Sequence, residues 1–280
     1  MLIEAGSNYF QSESLKHRIT RHLPLECLRI ANAREQLRSN LRYLKDSYGL
    51  RVYLGKQGPQ DIADASFDKI GFMEACESTQ FLTEEISKYP REFIDNCGII
   101  AIRLVKNLKN KDKTVNGIAN YGGNLYLSYP DCEGDELNRE GAFKFTTHHE
   151  LFHFSDENSR HGLKHRPTNR MLRWLYEPSW HALNSTAYIG EGAENGEEHP
   201  EYASPYAMTD ESEDRADTAA LLMLFPKIAW QRTTSNDIFA QKIQTIVYAM
   251  IKRSAGQMDT LFFNDLMNGE VGQGYWETEN

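Results

Sequence analysis

The chain has 280 residues, of which 40% are hydrophobic, and its 31 basic and 40 acidic side chains give a formal net charge of −9. The length predicts one or two domains, and the apolar content is enough for a sizeable core. The acidic balance argues against nucleic-acid binding, which requires a basic surface, and mildly favours a neutral or cationic partner.

Neither a leader nor a membrane span is predicted. The first residues, MLIEAGSNYFQSESLKHRITRH, contain no apolar segment of the kind found in signal peptides. No stretch approaches the ~18 consecutive apolar residues of a transmembrane helix. We therefore predict a protein that does not bind membranes and resides in the cytoplasm by default, with a secreted effector or toxin as the alternative.

The cysteines argue against two further kinds of site. They are widely spaced and form no CxxC pair, so we expect neither a disulfide framework nor a cysteine-based zinc site. We predict buried free thiols at Cys27, Cys76, Cys97 and Cys132.

The N-terminal part opens with a helical pattern. Apolar residues at helical spacing over 13–48, interrupted by Pro24, predict two helices, and Gly49 ends the second of them. Alternating residues then predict a short strand over 50–54, which ends in a Gly/Pro turn.

A helix, a buried strand and a loop are predicted next. The stretch 79–94 has a helical pattern, with Thr83 as a possible N-cap and a break near Pro90. The β-branched run GIIAIRLV at 98–105 predicts a well-buried strand. The basic segment KNLKNKDK at 106–113 predicts a solvated loop.

Two short strands and a helix lead into the middle of the chain. VNGIANYGGNLYLSYP predicts strands on either side of the Gly122–Gly123 turn, the second within 122–129, and GAFKFTTHHELFHF predicts a helix. The segment 155–205 is irregular, with one helix near 169–176. We interpret its acidic portion, 191–201, as a solvated lid or, alternatively, as an element that selects a cationic substrate.

The C-terminal part is predicted to be helical. DESEDRADTAALLMLF has a strong helical pattern, two further helices follow over 236–267, and the tail is expected to fray. No repeat or linker justifies a domain boundary, so we predict one catalytic domain over 1–280. Its parts are N-terminal helices (1–48), a sheet with the active-site helix (50–154), a long insertion loop (155–205) and a helical subdomain (206–280).

The stretch THHELFHFSD contains a His-Glu-x-x-His pattern. On a helix, His149 and His153 lie one turn apart on the same face, so that both imidazoles can bind one ion. Glu150 lies beside the pair and can take a proton from an attacking water and pass it to a leaving amine. Imidazole ligands at this spacing are typical of zinc enzymes, so we predict one Zn²⁺ ion.

A catalytic zinc site needs a third protein ligand. The pattern HExxHxxGxxH of the metzincins is absent, because Asp156 and Ser159 occupy its glycine and third histidine positions. In the helix ESEDRADTAALL, Glu213 can supply the third ligand. Asp217, one turn later, can accept the other N–H of a ligand histidine and fix its tautomer.

Four other residues are weaker candidates for this site. His161 and His165 follow no known ligand spacing. Glu211 is a rival third ligand, but it lacks a carboxylate one turn later, since position 215 is arginine. His148 is interpreted as a neighbour that faces away from the ligand pair.

These residues resemble the HExxH…E pattern of gluzincin metallopeptidases, in particular the group of the anthrax lethal factor catalytic domain and the secreted Pro-Pro endopeptidases. The resemblance covers roughly residues 50–223. It implies His149, His153 and Glu213 as metal ligands, Glu150 as general base and Asp217 as the outer carboxylate. Tyr206 lies seven residues before Glu213, where that group has a tyrosine that binds the oxyanion.

The same resemblance implies the fold and the activity. The fold is an α+β, zincin-like one, in which a small mixed β-sheet with an upstream edge strand packs on the HExxH helix and a mainly helical C-terminal part follows. The implied activity is that of a zinc-dependent endopeptidase. Its protein or peptide substrate would lie extended along the edge strand, which we assign to 122–129. The long 155–205 connection and the Asp at 217, as in thermolysin-like enzymes, depart from the group and leave the subfamily and substrate open.

Other readings stay open at this stage. The chain is alternatively a zincin-like binding scaffold without catalysis, or a metal-dependent hydrolase of a non-peptide bond. Tyr206 is alternatively a packing aromatic. A cluster of aromatic residues is interpreted as a satellite core under the long loop or, alternatively, as a wall that grips apolar substrate side chains: Trp174, Tyr176 and Trp180. The oligomeric state is left open.

Overall fold

A computed structural model describes residues 25–55, 62, 64–120, 122–131, 136–161, 180, 183–193 and 196–277. Its helices are α1 (Leu25–Tyr48), α2 (Phe72–Ile86), α3 (Arg91–Cys97), α4 (Glu136–His161), α5 (Glu211–Leu224), α6 (Pro226–Thr233), α7 (Asp237–Arg253) and α8 (Thr260–Asn268). Its strands are β1 (Arg51–Leu54), β2 (Ala65–Asp68), β3 (Ala101–Asn110), β4 (Lys113–Thr114), β5 (Gly117–Asn120) and β6 (Asn124–Tyr129).

The strands form one small mixed sheet in the order β1-β3-β6-β5. Strands β1, β3 and β6 run parallel, β5 runs antiparallel to β6, and the short β2 and β4 pair antiparallel to β3. Helix α4, which carries His149 and His153, contacts both β5 and β6, and it also contacts α5. The sheet therefore presents its β5 edge to the helix that carries the His-Glu-x-x-His motif.

The assignment of the edge strand to 122–129 is wrong. Within that stretch β6 pairs with β3 on one side and with β5 on the other. The edge is β5, whose register places Gly117 opposite Leu127 and Asn120 opposite Asn124. The two strands form a hairpin, and which of them takes the outer position is decided by pairing with β3, a contact distant in sequence.

Strand β3 is longer than predicted. The strand predicted over 98–105 begins at Ala101 and is buried through Val105, but it continues through Asn110 and turns back at Lys111, whose φ is +56°. The prediction of a solvated loop over 106–113 is therefore wrong. Leu108, which is buried against Val105 and Tyr126, supplies the apolar contact that extends the strand despite its charged neighbours.

Among the N-terminal helices, two predicted boundaries are confirmed and a third is wrong. Helix α1 ends at Gly49, which adopts a left-handed φ of +70°. Helix α2 begins well before Thr83, whose hydroxyl donates to the Thr79 carbonyl inside the helix. The helix start is capped instead by Glu74, whose carboxylate accepts the Gly71 N–H at 2.7 Å. Pro90 separates α2 from α3 as predicted.

The C-terminal helices match the prediction with two corrections. Helix α6, which begins at Pro226, was not predicted. The tail does not fray over its described part, because Tyr275 and Trp276 pack against Phe262 of α8; the Phe262 and Trp276 rings stack with centroids 5.5 Å apart.

The core joins the sheet to the C-terminal helices. Leu125 of β6, Leu151 of α4, Leu222 of α5 and Phe239 of α7 are all buried in one hydrophobic cluster. Trp180 belongs to the same cluster, so its assignment to a satellite core is wrong. Trp174 and Tyr176, with the helix predicted near 169–176, lie outside the described residues, as do His165, Cys132 and the first predicted helix.

The segment predicted as a loop from residue 155 starts as helix, since α4 continues to His161. Further along, its described residues are held against the C-terminal helices. The Arg232 guanidinium donates to the carbonyls of Pro200, Tyr202 and Ala203, and the Lys242 ammonium donates to the Glu201 carbonyl at 2.8 Å. Most described positions of the acidic 191–201 portion are exposed, as expected of a solvated segment.

The described helices and cysteines bear on two of the exclusions drawn from the sequence. No helix among the described residues combines the length and apolar character needed to cross a bilayer. Cys76 and Cys97 are free thiols, but only Cys97 is buried as predicted, whereas Cys76 is half-buried. Burial raises the pKa of the Cys97 thiol to about 12, which makes it unreactive.

Candidate metal centre

Three of the predicted ligands converge at one point. The Nε2 atoms of His149 and His153 lie 3.0 Å apart, and the Oε2 atom of Glu213 lies 3.0 Å from the first and 3.3 Å from the second. The two histidines come from consecutive turns of α4, and Glu213 comes from the first turn of the neighbouring α5.

The capped N-terminus of α5 fixes the position of Glu213. Asp210 caps the helix, and its carboxylate accepts the N–H groups of Ser212 at 2.7 Å and Glu213 at 3.1 Å. Acidic residues are favoured in the first turn of a helix, where the unpaired N–H groups concentrate positive charge. The sequence DESED therefore both begins the helix and presents a carboxylate to α4.

The arrangement fits a cation. His149 Nδ1 lies 2.7 Å from Asp217, an acceptor, so the neutral ring carries its proton on Nδ1 and turns the lone pair of Nε2 towards the cluster. Glu213 Oε2 is buried, and within the described part of the chain it accepts no hydrogen bond of suitable geometry. Electron-rich atoms thus face one another at 3.0–3.3 Å. Tetrahedral zinc with bonds of about 2.1 Å spaces its ligand atoms roughly 3.4 Å apart, close to the distances seen here.

Hydrogen bonds behind the ligands fix the orientation of both imidazoles. Asp217 accepts from His149 through one carboxylate oxygen and from the Ser204 hydroxyl through the other. His153 Nδ1 lies 3.2 Å from the Ser212 hydroxyl. Outer partners of this kind commonly affect metal affinity 10–100-fold. The sequence indicated Asp217, but it gave no signal for Ser204, which lies in an irregular segment, or for Ser212.

Glu150 lies at the interface between α4 and the edge strand. Its side chain is buried, and its carboxylate accepts the Ala119 N–H of β5. Burial raises the pKa of this carboxyl, while the nearby His149 and His153 act in the opposite direction. A raised pKa brings a carboxylate closer to the range in which it exchanges protons near neutral pH.

Tyr206 lines the cavity that opens beside His149 and Glu150. It starts a short 3₁₀ turn, Tyr206–Met208, which is tied to Ser204 because the Ser204 hydroxyl accepts the Ala207 N–H at 3.2 Å. Its ring centroid is 6.0 Å from that of His149. Burial, followed by the charges of Glu213 and Glu150, raises the pKa of Tyr206, so its hydroxyl remains a proton donor at neutral pH.

A cavity of about 580 Å³ opens over these residues. The β4–β5 segment 113–117 and the α4 residues Phe145 and Thr146 form part of its lining, and Glu191 and Gly192 of the long connection contribute as well. Lys113 and Glu191, which both line it, form an exposed ion pair at 2.9 Å. The cleft is therefore bounded by the edge strand, by the motif helix and by the connection.

Two of the weaker candidates, His148 and Glu211, have other partners in the structure. His148 is buried between α4 and α2, where it contacts Glu85 at 2.6 Å and the Tyr89 hydroxyl at 2.7 Å, as expected of a residue facing away from the site. Glu211 approaches Arg215 at 3.9 Å, and Arg215 also pairs with Asp156 at 2.8 Å. For His161 the helix position alone is described.

Zinc binding should release protons. Burial disfavours a charged His149 ring, but the Asp217 and Glu213 carboxylates outweigh it and raise the pKa of His149 well above its usual value in the ion-free protein. We therefore expect the ion-free cluster to hold a proton that zinc displaces on binding. We expect zinc affinity to increase as pH rises through neutrality, with about one proton released per ion. Titration calorimetry in buffers of different ionisation enthalpy measures this release, and a heat independent of the buffer would contradict it.

No protein-family model matches the chain, and no curated protein matches it. Among solved structures, the fold is similar to the crystal structure of a candidate zinc-binding metallopeptidase from Bacteroides caccae. The TM-score is 0.52, the two chains are 15% identical, and the likeness covers 88% of this chain and 96% of the other. At that identity the likeness concerns the fold. It confirms the predicted class, an α+β, zincin-like fold with a small mixed sheet and a mainly helical C-terminal part.

Proposed function

We propose that the chain is a zinc-dependent endopeptidase of the gluzincin type. The observation that supports this most strongly is the convergence of His149, His153 and Glu213 on one point with a buried carboxylate, Glu150, beside them. A structural metal site has no need of such a base, whereas hydrolysis of a peptide bond requires one.

Each residue of the site has its own role in the proposed hydrolysis. His149, His153 and Glu213 would hold zinc, which supplies Lewis acidity and brings the pKa of a water molecule towards ~7. Glu150 takes the proton of the attacking water and later delivers it to the leaving amine. Tyr206 donates a hydrogen bond to the oxygen on which negative charge develops. Asp217 and Ser212 keep the imidazole rings in their binding orientation.

The substrate would lie along β5 and not along β6. Strand β5 is the edge of the sheet next to α4, and its outward side borders the cavity at Gly117. An extended peptide can add to such an edge through main-chain hydrogen bonds. A peptide bound there would run beside the motif helix α4, which contacts β5.

A library of quenched fluorescent peptides tests the proposal. We expect cleavage that stops with a chelator and returns when zinc is added. Stoichiometric zinc binding without cleavage of any peptide would favour a binding scaffold. Metal-dependent hydrolysis of ester substrates alone would favour a hydrolase of non-peptide bonds.

Replacing His153 with alanine should remove both zinc binding and cleavage. The change deletes one of three protein ligands, so the loss of zinc affinity should exceed the 10–100-fold typical of an outer partner. Zinc content after dialysis and calorimetric titration measure this loss. His199→Ala is the matched control, because the His199 ring packs against Tyr202 and is not one of the three converging groups. Equal zinc retention by the two variants would exclude His153 as a ligand.

A further inference from the structure

Gly117 of the edge strand lies directly against Glu150. A Cβ atom at position 117 would stand 2.5 Å from Glu150 Cγ, 2.8 Å from Cδ and 2.7 Å from Oε1. By comparison, a Cβ atom at Gly123 would stand 2.8 Å from Ile100 Cδ1, and one at Gly71 would stand 2.9 Å from Glu74 Oε2. Atoms at such distances overlap, so one of the two groups must move.

The backbone does not explain the glycine. The φ angle of Gly117 is not positive, so any amino acid could adopt its backbone conformation. It pairs in regular register with Leu127 of β6. The position requires a residue without a side chain, because the side chain of Glu150 fills the space that a Cβ atom would occupy.

Glu150 has little freedom to move aside. It is 7% exposed, and its carboxylate is held by the Ala119 N–H, two residues further along the same strand. A methyl group at position 117 would push the carboxylate away from this donor and change its position relative to the ligand cluster. Gly117 and Ala119 thus form a slot on β5 for the Glu150 carboxylate. Gly117 leaves space because it has no side chain, and Ala119 donates a hydrogen bond.

We infer that Gly117 is a positioning residue, whose missing side chain gives the Glu150 carboxylate its place between the edge strand and the ligand cluster. The slot itself is a property of the folded chain. Its effect on turnover rests on the proposed function, since it acts through the general base.

A double-mutant cycle on the ion-free protein tests the slot without reference to activity. Gly117→Ala should lower the melting temperature in the wild-type background and have no such effect in a Glu150→Ala background, where the methyl group has room. Gly141→Ala is the control, because a Cβ there meets no atom within 4 Å. An equal loss in both backgrounds would overturn the inference. A Gly117→Ala chain that fails to fold supports it if the double variant folds, and contradicts it if the double variant also fails.

The second measurement uses a peptide that the library shows to be cleaved. Gly117→Ala should lower kcat about 100-fold, the loss that a displacement of about 1 Å can cause, while zinc content and KM stay near wild type. A raised KM with unchanged kcat would mean that the methyl group obstructs the substrate, and would overturn the inference. If no peptide is cleaved, the proposed function is wrong, but the melting temperatures of the double-mutant cycle still show whether Gly117 makes room for Glu150.

Discussion

Replacing Glu150 with alanine should abolish peptide cleavage while the protein still binds one zinc ion. Glu150 lies beside the ligand cluster but is not one of the three converging groups, so its removal leaves the metal site intact. Glu150 is buried against β5, and it is the carboxylate to which we assign the transfer of the proton from water to the leaving amine. General-base contributions are on the order of 10²–10⁴ in rate, and we expect a loss in kcat of at least that size.

The measurement pairs kcat on the cleaved peptide with zinc content by mass spectrometry. Glu211→Ala serves as the matched control, because Glu211 is an acidic residue two positions before Glu213 whose partner is Arg215 and not a histidine. The control should retain both zinc and turnover. A Glu150→Ala protein that loses its zinc, or that keeps wild-type kcat, would contradict the assignment of Glu150 as the base.

The site could be predicted from the sequence where its geometry is local. His149 and His153 are brought together by one turn of a single helix, and the same spacing relates Glu213 to Asp217, so helical periodicity alone predicts both pairs. That α4 and α5 would meet was inferred from the resemblance, and the structure brings the side chains within 3.0–3.3 Å. The identity of the edge strand depends on pairing with the distant β3, and it was not predicted.

Other features of the site leave no trace in a single sequence. Gly117 is important because it has no side chain, whereas an isolated glycine in a strand pattern ordinarily predicts a turn or a bulge. Ser204 lies in an irregular segment and meets Asp217 only after the chain has folded back. Lys242 occupies one position in the helical stretch DIFAQKIQTIVYAMIKR, where a lysine ordinarily predicts an exposed face, yet it is fully buried.

Lys242 and Asp214 form a buried ion pair behind the ligand helix. The ammonium lies 2.7 Å from the carboxylate, and neither side chain is exposed. The same Asp214 oxygen accepts from the Trp180 indole at 2.7 Å and from the Tyr188 hydroxyl at 3.0 Å. Because Lys242 also donates to the Glu201 carbonyl, it joins α7 to the long connection and to the residue next to Glu213.

Replacing Lys242 with methionine should lower the free energy of unfolding by about 3–5 kcal/mol, because the Asp214 carboxylate is left buried without its counter-charge. Urea unfolding of the ion-free protein measures the change. Adding Asp214→Asn should recover part of the loss, since a neutral amide needs no counter-charge. The control is Lys252→Met in the last turn of the same helix, where the side chain is exposed and the expected change is within about 0.5 kcal/mol. Equal stability of the Lys242→Met and Lys252→Met proteins would show that the ion pair does not hold the ligand helix in place.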